Sequence, residues 1–154
     1  MTSLQFLLEG IFCIGCALHS YTDFKEMLLY DEVSLVMLLA GLCHNYLLAD
    51  ISWAIVGAVI VGAVFLALYF LCPEGVGQGD VKLAFVLGAW LGWQKGLLSL
   101  VLSLWLGLIV GGLLLMLKRK QGKEAIPFGP YMCLSGLIML YYGEAVLQWY
   151  SSLF

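Results

Sequence analysis

Residues 80–96 of this chain read Asp80-Val-Lys-Leu-Ala-Phe-Val-Leu-Gly-Ala-Trp-Leu-Gly-Trp-Gln-Lys-Gly96. This stretch decides the fold because its apolar part, residues 81–93, is short. A helix of that length rises only about 20 Å, whereas the hydrocarbon core of a bilayer is about 30 Å thick. The segment could therefore be either a short membrane-spanning helix or a re-entrant segment. The distribution of the surrounding charges distinguishes the two.

The chain around this stretch is too apolar for a water-soluble domain. Hydrophobic residues make up 63% of the 154 residues and charged residues 11%, and the mean hydropathy is +1.01, whereas soluble domains carry about 25% charged residues. We therefore predict one all-α domain, residues 1–154, built as a bundle of six transmembrane helices. The predicted spans are 4–22, 33–49, 52–72, 81–93, 96–117 and 128–150.

The distribution of positive charge favours six spans over a re-entrant segment. With six spans, Lys95 lies on one side of the membrane and every other basic residue lies on the opposite side, namely Lys25, Lys82, Lys118, Arg119, Lys120 and Lys123. Because basic residues accumulate in cytoplasmic loops, loops 23–32, 73–80 and 118–125 are predicted to be cytoplasmic and both termini to lie outside the cytoplasm. The net charge of −3 excludes the basic surface that nucleic acid requires.

Two aspartates lie where this topology places the cytoplasmic membrane boundary. Asp23 directly follows the first apolar segment, and Asp80 directly precedes the fourth. Two carboxylates in a partly dehydrated site share one proton, and such a pair can activate water for peptide hydrolysis. The alternative is that each carboxylate simply caps a helix end. Both interpretations stay open on spacing alone.

The sequence before Asp80 is rich in glycine, reading Gly75-Val-Gly-Gln-Gly-Asp80. These glycines leave the backbone free to take positive φ and to approach a substrate strand, or else they simply make the loop flexible. The run Gly77-Gln-Gly79-Asp80-Val-Lys82-Leu, followed by Gly88-Ala-Trp-Leu-Gly92, resembles the GxGD signature of type IV prepilin peptidases.

Two further stretches resemble the same family in the expected order. Ser20-Tyr-Thr-Asp23 is similar to the motif of the first catalytic aspartate, although Tyr30 stands where the family usually has proline. Ile126-Pro127-Phe128-Gly129-Pro130 is similar to the family's Pro-Phe-Gly-Pro segment. The resemblance covers nearly the whole chain.

The resemblance implies a function at the bacterial inner membrane. It implies an aspartic endopeptidase that removes the short basic leader of a prepilin or pseudopilin at the cytoplasmic face, before the apolar helix of the pilin, with Asp23 and Asp80 as catalytic residues. Lys82 would orient the loop or bind a carboxylate, or else extend to the lipid phosphates. Three acidic residues of the first loop are candidates for attracting the basic leader: Glu26, Asp31 and Glu32.

No cofactor or metal is expected. Longer members of the family carry an N-terminal region with two CxxC pairs, associated with methylation, so this chain is interpreted as the short form or as part of a longer parent without an S-adenosylmethionine or zinc site. Cys13 and Cys16 lie in an apolar run and are interpreted as packing residues. Gly88-x-x-x-Gly92 and Gly107-x-x-x-Gly111 are interpreted as contacts between helices of one molecule.

Two other classes of function stay open. A small proton-coupled carrier would use Glu9, Asp23, Asp80 and Glu144 as a relay, and a non-catalytic pilus or secretion assembly protein would need neither aspartate. Glu9 is too far from Asp23 to join the pair, and Glu144 is expected to contact water or a polar neighbour. His19 either modulates Asp23 or packs in the core, and His44 and Asp50 are assigned to the outer loop.

Overall fold

The computed structural model describes residues 3–48, 50–72, 75–117 and 127–152. Within these ranges the chain is all α-helical, as predicted. It forms five helices, α1 (Ser3–Glu26), α2 (Asp31–Leu47), α3 (Ile51–Leu71), α4 (Gln78–Met116) and α5 (Gly129–Ser151). The basic cluster predicted to fix the topology, residues 118–123, lies outside the described residues.

Helix α4 reverses its direction at Gly92. This residue has φ 71° and ψ −179°, a region of backbone space that is essentially restricted to glycine. A Cβ built on Gly96 would lie 3.5 Å from the Cα of Gly88, which requires the residues after Gly92 to return alongside those before it. Helix α4 therefore consists of a first limb, residues 78–91, and a second limb, residues 93–116. The predicted break between segments 81–93 and 96–117, residues 94–95, lies two residues after this reversal.

Glycines let α3 approach both limbs of α4. A Cβ on Gly57 or on Gly88 would overlap the backbone of the other residue, and a Cβ on Gly92 would overlap the indole of Trp53. A Cβ on Gly96 would come within 2.6 Å of a Val61 methyl group. These contacts lie within one chain, as predicted for the Gly88-x-x-x-Gly92 pair, and close approach of this kind is how small residues pack helices in lipid.

In the part of the chain that the structure describes, three helical stretches are long and apolar enough to cross a membrane: Ser3–Glu26, Ile51–Leu71 and Gln78–Leu114, the last of which contains the reversal. Large apolar side chains are exposed around the bundle, including Phe6, Leu108 and Trp149, which suits a surface solvated by lipid. The number of six transmembrane spans stays a prediction.

A buried cluster around the first limb of α4 holds the bundle together. Leu83, Leu87 and Leu91 are almost fully buried, and Phe12 and Met132 pack in the same core from α1 and α5. Cys16 is also buried in this core as a free thiol, as its interpretation as a packing residue predicts.

Polar side chains satisfy backbone carbonyls inside this core. The indole Nε1 of Trp90 donates a hydrogen bond to the Met37 carbonyl at 2.7 Å, and the amide of Asn45 donates to the Ala89 carbonyl at 2.9 Å. Both bonds join α2 to the first limb of α4. Because a buried N–H donor without an acceptor costs free energy, these bonds fix how α2 packs on α4.

Three assignments from sequence change in the structure. Helix α1 continues to Glu26, so Asp23 lies in its last turn rather than in the loop. Asp80 lies in the first turn of α4 rather than before it. His44 was assigned to the outer loop, but it is buried in α2, with Nε2 3.6 Å from Oε1 of Glu9. Helix α2 thus continues past the polar His44-Asn45 pair and ends at Leu47.

Candidate active site

Asp23 and Asp80 line one cavity at one end of the bundle, which we call the carboxylate cavity. Asp23 comes from the last turn of α1 and Asp80 from the first turn of α4. The cavity has a volume of about 330 Å³, which exceeds the share of roughly 30 Å³ that one water molecule occupies in the liquid. Its lining is formed by Asp23, Met27, Leu28, Leu29, Asp31, Gly77, Gln78, Gly79, Asp80 and Lys82.

Asp23 is oriented by the N-terminus of α5. Its Oδ2 accepts a hydrogen bond from the backbone N–H of Gly129 at 2.8 Å, and only 6% of the residue is exposed. The first N–H groups of a helix lack partners within the helix and stabilise a negative charge. A Cβ on residue 129 would lie 2.9 Å from this oxygen, so only glycine leaves the carboxylate in place.

Asp80 is oriented by the loop that precedes it. Its Oδ2 accepts a hydrogen bond from the backbone N–H of Gly77 at 3.1 Å. An acidic residue in the first turn that bonds back to the N-cap N–H is one half of a capping box. Both aspartates therefore do contact helix N-termini, as the capping interpretation requires. Capping does not explain why the two buried acids share one cavity.

The glycine loop does not use the positive φ that its glycines would allow. Among the described glycines, Gly92 alone has a positive φ. Gly77 and Gly79 are instead needed for close approach, because their Cβ positions would lie 3.1 Å from Oδ2 of Asp80 and 2.9 Å from the Cβ of Leu29. Met27, at the end of α1, has φ 54°, a conformation that is uncommon for a residue with a side chain.

Leu29 links the two glycine motifs, and sequence reasoning did not single it out. Its side chain contacts Gly79 on one side, and its Cδ2 would lie 3.1 Å from a Cβ on Gly129 on the other. The sequence feature that points to Leu29 is the apolar run Met27-Leu28-Leu29 inside an otherwise charged loop. Of these three residues, Leu29 packs against the core, whereas Met27 and Leu28 are exposed.

Lys82 binds a carboxylate, which was one of its two predicted roles. Its Nζ lies 2.6 Å and 2.7 Å from the two carboxylate oxygens of Asp31. Both side chains are substantially exposed, at 49% and 67%. Among the described residues, the lining of the carboxylate cavity thus carries three acidic side chains and one lysine, so this described part of the lining is net negative.

The other candidate residues occupy separate places. Glu26 accepts a hydrogen bond from the Tyr30 hydroxyl at 2.9 Å, and Glu32 lies in the first turn of α2. Phe128 precedes α5 and stacks on Phe65, with ring centroids 5.9 Å apart. Pro130 lies in the first turn of α5, where proline costs no hydrogen bond. The buried residue Pro127 directly precedes Phe128.

Acids and histidines outside the cavity have their own partners. The Nε2 atom of buried His19 lies 3.1 Å from the Ser34 hydroxyl, so the packing interpretation fits better than contact with Asp23. Glu144 accepts a hydrogen bond from Lys95 at 2.9 Å, which confirms the expected polar neighbour. In the described parts of the chain, His, Cys, Asp and Glu side chains form no group of three that could hold a metal ion.

An apolar helical bundle with two buried carboxylates in one terminal cavity indicates a membrane protein with a candidate acid–base site. The chain belongs to the type IV leader peptidase family, whose model matches residues 10–112. The matched range contains both Asp23 and Asp80. Segment 127–130 lies beyond it.

Curated relatives carry the name prepilin leader peptidase/N-methyltransferase. The protein from Aeromonas salmonicida is 38% identical over an alignment of 140 residues, and the match covers 86% of this chain and 48% of the relative. The protein from Pseudomonas aeruginosa is 36% identical over 143 residues (88% and 49%), and that from Legionella pneumophila is 35% identical over 137 residues (84% and 48%). The chain therefore spans about half the length of these relatives. No solved structure matches it.

Proposed function

We propose that this chain is an aspartic endopeptidase that removes the leader peptide of type IV prepilins or pseudopilins, with Asp23 and Asp80 as its catalytic residues. The observation that carries the proposal is the shared carboxylate cavity, in which α1 and α4 each supply one buried aspartate. Family membership and the names of the relatives give the substrate class. They do not favour a carrier or an assembly protein.

The chemistry follows from the pairing of two acids. The ionised carboxylate accepts a proton from a water molecule between the pair, and the oxygen of that water attacks the scissile carbonyl. The protonated carboxyl donates its proton to the carbonyl oxygen. When the C–N bond breaks, the leaving amine takes the proton that the first carboxylate accepted, and the carbonyl oxygen returns the other. Each acid thereby regains its initial protonation state.

The proposed topology has six membrane crossings, by α1, α2, α3, the two limbs of α4, and α5, in the bacterial inner membrane. Lys25 and Lys82 lie at the end of the bundle that holds the carboxylate cavity, whereas Lys95 lies just after the reversal at Gly92. The rule that basic residues face the cytoplasm supports a cytoplasmic cavity and external termini.

The cavity's charge suits a basic leader. Because Lys82 already neutralises much of the Asp31 charge, the proposed attraction of the leader depends mainly on Glu26 and Glu32, together with whichever aspartate is ionised. Such attraction between exposed charges falls as salt is added. Raised salt should therefore increase KM and leave kcat unchanged.

Separate Asp23→Asn and Asp80→Asn substitutions test the proposal. Leader removal from a prepilin in detergent, measured by mass, should fall about 10²- to 10⁴-fold in each variant, because each acid moves a proton. Asp50→Asn is the matched control: Asp50 also caps a helix, accepting from the Trp53 N–H, but at the other end of the bundle. Full cleavage by either cavity variant, or no cleavage by the unchanged chain, refutes the proposal.

A further inference from the structure

A second depression, which we call the α2–α4 groove, lies between α2 and the first limb of α4. It has a volume of about 390 Å³, and its apolar lining comes from Leu35, Leu38, Phe85 and Val86. Leu35 is 56% exposed, so the groove is open on the outside of the bundle. From Asp31 to Leu38 a helix rises about 10 Å, or two turns.

The α2–α4 groove is continuous with the carboxylate cavity. Asp31 and Lys82 line both of them, so the ion pair between these residues marks the border. Two other apolar grooves differ in this respect. Within the described residues, neither the groove between α1 and α2, which includes Val36, nor the one that includes Phe65 and Leu104 shares a lining residue with the carboxylate cavity.

We propose that the α2–α4 groove binds the first two turns of the substrate's apolar helix, directly after the scissile bond. This inference rests on the proposed function. The chemical character of the surface changes from the carboxylate cavity to the groove in the same order as it changes along such a substrate. The acidic cavity suits the basic leader, Lys82 and Asp31 form a polar border, and the groove beyond them is apolar and suits the apolar helix. The groove thereby sets which substrate residue lies between Asp23 and Asp80.

Neighbouring positions on α2 provide a matched test by cross-linking. A photo-activatable benzophenone amino acid is placed at Leu35, in the α2–α4 groove, or at Val36, in the groove between α1 and α2. Both side chains are similarly exposed, at 56% and 54%. With Asp80→Asn to preserve an uncleaved prepilin in lipid vesicles, cross-linking should be strong from position 35, to the start of the apolar helix, and weak from position 36.

Equal cross-linking from the two positions would mean that the groove only binds lipid tails, and would overturn the inference. Cross-links from position 36 alone would place the helix between α1 and α2, with the same consequence. Cleavage by the unchanged chain is measured separately. If the unchanged chain cleaves prepilin but cross-linking shows no preference for position 35, the inference is refuted and the proposed function stands. If cross-linking is specific for position 35 but the unchanged chain does not cleave prepilin, docking is supported and the proposed function is refuted.

Filling the groove gives a second readout. Leu35→Trp should lower kcat/KM for prepilin cleavage by about tenfold, mainly through KM, because the added ring occupies space that the substrate helix needs. Val36→Trp adds the same ring to the neighbouring groove and should change kcat/KM less than about twofold. Equal effects of the two substitutions would count against the groove as the docking surface.

Discussion

Asp23 and Gly129 are 106 residues apart in the sequence, yet the carboxylate of Asp23 accepts a 2.8 Å hydrogen bond from the backbone N–H of Gly129. The first and last helices thus meet at the carboxylate cavity. Since the donor is the start of α5, the docking of that helix positions the aspartate of α1. The Pro-Phe-Gly-Pro segment thereby gains a physical role as the support of one acid.

The first prediction concerns this contact. Gly129→Ala would place a Cβ 2.9 Å from Oδ2 of Asp23, so the carboxylate must move. Misplacement of a catalytic group by about 1 Å can cost about 10²-fold in rate, and we expect a loss of that order in prepilin cleavage. The thermal unfolding of the variant in detergent should stay close to that of the unchanged chain.

Gly10→Ala is the matched control for this substitution. Gly10 lies on α1, the helix that carries Asp23, and a Cβ there meets nothing within 4 Å. Its cleavage rate should be unchanged. If Gly129→Ala cleaves prepilin as fast as Gly10→Ala does, the contact with α5 does not position Asp23.

Composition and spacing predicted much of this fold. The high content of apolar residues predicted an all-α bundle, and the polar Gln94-Lys95 pair after a short apolar segment predicted a break next to the observed reversal at Gly92. Such features can be predicted because turn residues and apolar runs determine the conformation of residues only a few positions away in the sequence. The meeting of Asp23 with Asp80 in one cavity followed from the predicted topology.

The contacts that orient the site could not be predicted in the same way. Neither the bond between Asp23 and Gly129 nor the contact of Leu29 with Gly79 leaves a local pattern, because each depends on how distant helices pack. The glycine loop shows a different limit of prediction from sequence. Positive φ and close approach both require the absence of a Cβ, so the sequence alone does not separate them.

The second prediction concerns the reversal in α4. Gly92→Ala would force a side chain into a positive φ and into the Trp53 indole. Placing a side chain in this region of backbone space costs about 1–3 kcal/mol and overpacking about 1–3 kcal/mol, so we expect the free energy of unfolding to fall by about 3 kcal/mol. Titration of detergent-solubilised protein with a denaturing detergent measures the change.

Gly112→Ala is the control for the reversal, since Gly112 lies on the second limb and a Cβ there meets nothing within 4 Å. Alanine favours a helix interior over glycine by up to about 1 kcal/mol, so this variant should be unchanged or slightly more stable. Equal stability of the two alanine variants would show that the chain does not need glycine to reverse at position 92.

The third prediction concerns Asn45, which donates hydrogen bonds to the carbonyls of Gly41 at 3.1 Å and Ala89 at 2.9 Å. Asn45→Ala would leave the buried Ala89 carbonyl without this donor. The expected loss is about 1–3 kcal/mol in the free energy of unfolding. Ser52→Ala, which removes an exposed hydroxyl that donates to Asp50, should change stability by less than about 0.5 kcal/mol. Similar values for the two variants would contradict the structural role of Asn45.

The last prediction separates stability from substrate binding at the ion pair between Lys82 and Asp31. Since both side chains are about half exposed or more, a double-mutant cycle of Lys82→Ala and Asp31→Ala should give a coupling of about 0.5 kcal/mol. The coupling should vanish near 1 M salt, where the screening length is about 3 Å. A coupling above about 2 kcal/mol that ignores salt would show that the pair is effectively buried. With so small a share in folding, a large loss of prepilin cleavage in these variants would point to a role of the pair in the carboxylate cavity, through substrate contact or through orientation of the loop before Asp80, and not to loss of the fold.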